Sequence, residues 1–395
     1  MTDNLPAFPL DHLALRGAPD APALRLKDKV YSYQSLNHRI GRLAAILAAH
    51  DFTAGDRIAT WLPKTELACL MPLAAVRAGL VHVPINPLLK PAQVKHILSD
   101  SGATALVTSA VRAGQLESYL ETENQRHAEL VSASISPNQP KSSEEEWTLK
   151  QVQGDDLQFV VLDELAVLAA IDQSDDVLPP LPADIDTNGL AAILYTSGST
   201  GRPKGVMLSH ANLAIGAVSV ASYLKLAADD VTLAVLPLSF DYGQNQLLST
   251  WQAGGCVVPL DYLTPRDVIK ACTKQGVTTL AAVPPLWVQL AEQDWPEEAT
   301  TSMRRLTNSG GALTLSLVKA LRGIFGTTTD IYAMYGLTEA FRSTYLDPSL
   351  IDANPTSMGK AIPYAEIMVV AKDGSEAAPE EHGELVHAGP LVAQG

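Results

Sequence analysis

The chain has 395 residues, of which 47% are hydrophobic and only 18% charged. Ordinary soluble domains carry about 25% charged residues, so this chain can bury a large core and is not disordered as a whole. Lys and Arg number 28 against 43 Asp and Glu, a formal net charge of −15 that, with no basic patch to offset it, argues against nucleic-acid and membrane-surface roles. Cys69, Cys256 and Cys272 lie far apart without CxxC spacing, which excludes a disulfide scaffold or a zinc site and suits a reducing compartment. Met1-Thr2-Asp3-Asn4 lacks a basic or apolar leader, and the longest apolar runs, such as Ala166–Ile171, fall far short of a bilayer span. A cytoplasmic protein without a membrane span is expected.

In chain order, the first readable pattern is Tyr31–Leu36 running into the helical spacing of Leu43, Ile46 and Leu47. Glu66–Ala78 and Pro91–Asp100 read as helices, Val81–Pro84 and Thr104–Thr108 as strands, and Gly79 and Gly102 sit where a left-handed residue closes a helix. This alternation predicts crossover units and a parallel sheet. Arg126–Asp156 breaks the rhythm with Pro137, Pro140 and the run Glu144-Glu145-Glu146, and reads as an inserted, mobile surface loop. Replacing it with a short linker is expected to change little. A strand over Phe159–Leu162 follows, and the Asp- and Pro-rich Asp175–Thr187 reads as a connector between two α/β layers. From Thr356 onward short strands, Glu366–Val370 and Glu384–His387, predict a small β-rich subdomain.

The most informative segment is Ala191–His210. An apolar strand, Ala191–Tyr195, leads into Thr196-Ser197-Gly198-Ser199-Thr200-Gly201-Arg202-Pro203-Lys204-Gly205, and a second apolar run, Val206–Leu208, follows. Glycines let backbone N–H groups approach a ligand, hydroxyls add donors, and Lys204 adds a positive point charge. Such a loop suits a polyphosphate. It is not a Walker loop, because its end is Pro-Lys-Gly, and no G-x-G-x-x-G opens a helix.

Tyr195–Val206 resembles the signature loop of the AMP-forming adenylating superfamily, which includes acyl-CoA synthetases, peptide-synthetase adenylation domains and firefly luciferase. The resemblance extends from about Asp11 to Gly395. Met334-Tyr335-Gly336-Leu337-Thr338-Glu339 is similar to that family's Y-G-x-T-E box, Ser309-Gly310-Gly311-Ala312 to its S-G-G-A turn, and Gly359–Pro363 and Gly383-Glu384-Leu385 to later boxes. The resemblance implies two doubly wound, mostly parallel α/β sheets with flanking helices and a barrel-like β subdomain. It divides the chain into layers at 11–185 and 186–345 and a subdomain at 346–395, all within one N-terminal adenylation domain, 1–395. It further implies that Thr196–Gly201 and Lys204 grip the β- and γ-phosphates of ATP, that Gly310, Gly311 and Ala312 turn against adenine and Tyr335 stacks on it, that Gly336 is also part of the ATP site, that Thr338 contacts the α-phosphate, and that Glu339 helps hold Mg²⁺. Without the resemblance, Thr338 and Glu339 would read as a helix start.

The reaction so implied joins a carboxylate to AMP and passes the acyl group to a thiol, that of coenzyme A or of a carrier protein's phosphopantetheine arm. Lys204, Thr338 and Glu339 are the expected catalytic residues. Phe240, Asp241, Gly310 and Ala333 are the expected acid pocket. Phe240-Asp241 stands where many acyl-CoA synthetases carry Phe-His and is closer to amino-acid adenylation domains, in which the Asp pairs with the substrate's α-ammonium. A carboxylate there needs a partner. Two readings stay open: Asp241 caps a helix Tyr242–Gln252, or it binds an amine. An acyl-CoA ligase is the first expectation and an amino-acid ligase serving a carrier protein the alternative. Because the family's later ribose-binding Asp and mobile lobe find no match before Gly395, a nucleotide-binding domain without full catalysis is the third reading, with slow adenylate and undetectable thioester formation. His210 is expected only to pack.

Overall fold

Short apolar runs punctuated by Gly and Pro become parallel strands, and the amphipathic runs between them become the helices that cover the sheets. The computed structural model describes residues 5–131, 150–154, 157–196 and 202–395. Two units form, one of Met1–Asn37, Leu181–Leu190 and Val206–Gly395, the other of His38–Pro180 and Ala191–Gly205.

In the first unit a sheet runs in the order Lys360–Ala361, Thr344–Tyr345, Asp330–Tyr335, Arg305–Asn308, Thr279–Ala282, Val231–Ala234, Cys256–Pro259, Pro22–Leu26, Lys29–Ser32. Its middle is parallel, and both edges turn antiparallel. A core built on Leu233, Leu280, Trp287, Leu306, Leu321 and Ile331 sits against it, each of these at most 1% exposed. Burying one such side chain contributes about 1.5–3 kcal/mol. A separate antiparallel pair, Glu366–Val370 with Glu384–Ala388, gives the expected small β element near the C-terminus.

The second sheet runs in the order Lys150–Gly154, Leu157–Asp163, Ala103–Thr108, Arg57–Trp61, Val81–Pro84, Leu190–Thr196, Lys204–Ser209; from Leu157–Asp163 to Leu190–Thr196 it is parallel, and Lys150–Gly154 pairs antiparallel. The helix Glu66–Arg77 is buried from Leu67 through Arg77, as a helix apolar on all sides must be. Pro91 opens the helix Pro91–Ser101, and Gly102, at φ 60°, closes it. The Arg126–Asp156 segment differs from its expected loop character at both ends. Its first residues continue the helix Ala110–Val131, and Lys150–Gly154 is a strand paired with Leu157–Asp163. Residues 132–149 and 155–156 lie outside the described residues. No helix among the described residues is long and apolar enough to cross a membrane.

Candidate nucleotide and acid site

The parallel strands Arg305–Asn308 and Asp330–Tyr335 are neighbours, and each delivers a glycine-containing turn at its C-terminal end. In open α/β sheets that end is where ligands bind. After the first strand, Gly310 turns the chain at φ 77°, a conformation that would strain any other residue. The Asn308 Nδ2 donates to the Gly311 carbonyl at 2.7 Å and ties the turn down. After the second strand, Gly336 lies so close to the next segment that an added Cβ would stand 2.6 Å from the Arg342 Cα.

Between the two turns lies a cavity of about 380 Å³, lined by Asn308, Gly310, Gly311, Ala312, Ala333, Met334, Tyr335 and Gly336 on one side and 355–358 on the other. That volume is within the range of small-molecule sites. The structure thus brings together the S-G-G-A turn, Ala333 and the Tyr335-Gly336 pair. Beside them, the Asn308 Oδ1 is buried with no partner, an orphan acceptor that a ligand's amino group would satisfy.

Thr338 to Ala340 form one 3-10 turn. Its cap position is Leu337 and makes no side-chain bond, so Thr338 does not cap it. The Thr338 hydroxyl instead donates to the Asp241 Oδ1 at 3.2 Å. Glu339 is exposed, and its backbone carbonyl accepts from the Ala393 N–H at 2.8 Å. Among the described residues no cluster of three or more His, Cys, Asp or Glu could enclose a metal. One exposed carboxylate fits a Mg²⁺ ion that takes most of its oxygens from phosphate and water.

Asp241 corrects an expectation. It is the first residue of the helix Asp241–Gln252, Phe240 holds the cap position, and no side-chain cap bond exists. The carboxylate therefore does not cap the helix. Its Oδ2 accepts from the Arg342 Nη1, while Oδ1 accepts from Thr338. The Arg342 side chain is 3% exposed and that of Asp241 12%. Arg342 Nη1 also donates to the Phe341 carbonyl at 2.7 Å, and the guanidinium carbon lies 4.5 Å over the Tyr242 ring. Burial pulls the Arg342 pKa down, but Asp241, Tyr223 and Tyr242 more than offset this, and it is raised. Phe341 holds φ 61° and ψ −75°, the rarer and strained hand of γ-turn. Its ring is wedged where a Cβ on Gly216 would come within 2.5 Å.

Arg342 was not among the residues singled out from the sequence. The signal was present, because an arginine in the otherwise uncharged run Ala340–Tyr345 needs a counter-ion as much as Asp241 does. Behind the pair lies a small cavity of about 20 Å³, roughly one water, lined by Tyr242, Asn245, Gln246, Thr307, Met334 and Arg342 among others.

In the other unit, Ser197, Gly198, Ser199, Thr200 and Gly201 lie outside the described residues. Thr196 ends the strand Leu190–Thr196, and Lys204, exposed, opens the strand Lys204–Ser209. The flanks are fixed: the Tyr195 hydroxyl donates to Asp100 Oδ2 at 2.6 Å, and the His96 Nε2 lies 3.2 Å from the Pro203 carbonyl. His210 packs in the first unit, its Nδ1 accepting from the Leu10 N–H at 3.2 Å.

Residues 12–395 match the model of the AMP-binding enzymes, and the chain belongs to that family. It is 29% identical over 385 residues to a feruloyl-CoA synthase of Amycolatopsis sp, covering 96% of this chain and 69% of the relative. It is 28% identical over 394 residues to a long-chain-fatty-acid–CoA ligase of Salmonella typhimurium, covering 98% and 69%. The ATP-bound crystal structure of MatB from Rhodopseudomonas palustris matches with a TM-score of 0.78 at 25% identity, covering 98% of this chain and 71% of that one.

Proposed function

We propose that the chain is an AMP-forming acid–thiol ligase of the acyl-CoA type. A carboxylate oxygen attacks the α-phosphorus of ATP, the bond to the bridging oxygen breaks, and pyrophosphate leaves. The sulfur of coenzyme A then attacks the acyl carbon and AMP departs. The observation that carries this reading is the cavity of about 380 Å³ at the strand ends, bounded by the Gly310–Ala312 turn and the Tyr335-Gly336 pair.

The roles follow from the chemistry of each group. Tyr335 offers a ring for a base to stack on, and the orphan Asn308 Oδ1 an acceptor for the base's amino group. Thr338 stands at the reacting end, as the family resemblance implies, where its hydroxyl would have to turn from Asp241 to donate to the α-phosphate. Lys204 and the hydroxyls of Thr196, Ser197, Ser199 and Thr200 take the departing pyrophosphate, as the family resemblance implies. Glu339 would hold Mg²⁺, which when bound neutralises phosphate charge. Little covalent work is left to the protein beyond alignment and charge stabilisation. Three free cysteines, all buried, suit a cytoplasmic setting.

Calorimetric titration with AMP and with an acyl-sulfamoyladenosine, an unreactive stand-in for the acyl-adenylate, tests the reading. AMP should bind, and the acylated compound at least tenfold more tightly. No AMP binding, or AMP binding to which the acyl group adds nothing, refutes it.

A further inference from the structure

Asp241 and Arg342 form a largely buried ion pair beside Thr338. Asp241 is bonded to Thr338, which the proposed function sets at the reacting end, so on that reading its carboxylate lies near the substrate's own carboxyl group. An α-ammonium on the substrate would have to reach Asp241 to be neutralised. That carboxylate is already occupied: Arg342 takes one oxygen and Thr338 the other. The arginine is held on two further sides, by the Phe341 carbonyl and by the Tyr242 ring, and is only 2% exposed. The cavity beside it has room for about one water, too little for the guanidinium to swing into. An incoming ammonium therefore meets a fixed cation without an available counter-ion, in a place where water does not screen the repulsion.

We propose that Arg342 is a built-in counter-ion that stands where a substrate ammonium would otherwise sit, and that it restricts the site to carboxylic acids without a positive charge near the carboxyl group. The inference rests on the acid-activating reading above and narrows it: amino acids are excluded by charge, not by size. Arg342 is here a specificity-determining residue. It packs against Gly336 of the nucleotide pocket's second turn, but acts on the acid by occupying Asp241.

Two acyl-sulfamoyladenosines identical except for the α-amino group, propionyl and alanyl, provide the test, titrated by calorimetry alongside AMP. Like charges set against each other in a desolvated site cost several kcal/mol, so the wild type should bind the propionyl compound about a hundredfold more tightly. Arg342→Met frees Asp241 and should move the preference toward the alanyl compound by at least tenfold. Adding Asp241→Asn to that variant should abolish the gain. Equal affinity of the wild type for the two compounds overturns the inference, as does an Arg342→Met protein that keeps the wild-type preference. If the variants do not fold, as judged by thermal denaturation, the wild-type comparison decides alone. A protein that binds AMP and both acyl compounds alike refutes only the inference, whereas loss of AMP binding itself refutes the acid-activating function and the inference with it.

Discussion

Cutting the Asp241–Arg342 pair one partner at a time should be far more harmful than removing it whole. Both side chains are largely buried, at 12% and 3% exposure. Removing one member of such a pair strands the other charge away from water, at about 3–5 kcal/mol. Asp241→Ala strands a guanidinium whose Nη2 already lacks a partner, and Arg342→Met strands a carboxylate whose other bond is only the Thr338 hydroxyl. The double variant strands neither. Its cost should fall below the sum of the single variants by about 2–3 kcal/mol, the upper range for residues in direct contact. Urea unfolding followed by tryptophan fluorescence reads the cycle, because Trp251 and Trp287 are buried in the same unit as the pair. Costs that add to within about 0.5 kcal/mol, or an Asp241→Ala protein as stable as the wild type, would show that the pair is not coupled and that the reasoning is wrong.

Three further outcomes are expected. Glu339→Gln keeps the side chain's shape but removes its charge, so Mg²⁺-dependent ATP affinity should fall several-fold while AMP affinity stays; equal losses for both nucleotides would make Glu339 structural. Gly336→Ala sets a Cβ 2.6 Å from the Arg342 Cα and 3.0 Å from the Phe341 carbonyl oxygen, backbone atoms that no rotamer change can move. It should destabilise by about 1–3 kcal/mol and weaken AMP binding, and unchanged AMP affinity counts against the site. His82, buried with its Nε2 2.9 Å from the Thr60 hydroxyl, has its pKa pulled by burial from 6.5 down to about 3. Between those values the unfolded chain holds a proton that the folded chain refuses, so stability falls as pH falls, by about 1.4 kcal/mol per unit from this residue. His82→Gln should show a flatter dependence of stability on pH in that window, and identical slopes would refute the assignment.

Local pattern was enough for some elements. Val81–Pro84 and Glu366–Val370 are strands over the residues their apolar runs marked, because turn formers bound them closely. Signals were lost where polarity masks periodicity, as in the helix Ala110–Val131, whose sequence includes the wholly polar run Glu-Asn-Gln-Arg-His. Other features depend on partners far along the chain. The strand Pro22–Leu26 joins its sheet through Leu24 opposite Val257, a pairing no window around residue 24 announces. Asp241 was recognised as a carboxylate in need of a partner, yet its partner lies 101 residues away and meets it only through the fold. The glycine turns were legible because backbone geometry restricts them locally. The cation that pairs with Asp241 was not, since any of several arginines would have satisfied the same rule.

Met334 lines both the larger cavity and the small one beside Arg342, and its sulfur accepts a hydrogen bond from the Tyr223 hydroxyl at 2.9 Å. A thioether on three rotatable bonds is an adaptable partition, here moored at one end. Reach and polarity of the chamber are consequently coupled through one side chain. Shortening residue 334 would open the floor onto threonine hydroxyls and the carboxamides of Asn245 and Gln246, so a longer acid would gain room only where its far end can form hydrogen bonds. Met334→Ala, titrated with acyl-sulfamoyladenosines that do or do not end in a hydroxyl, should favour the hydroxylated chains; a variant that lengthens its preference without regard to that hydroxyl would show that the two properties vary independently.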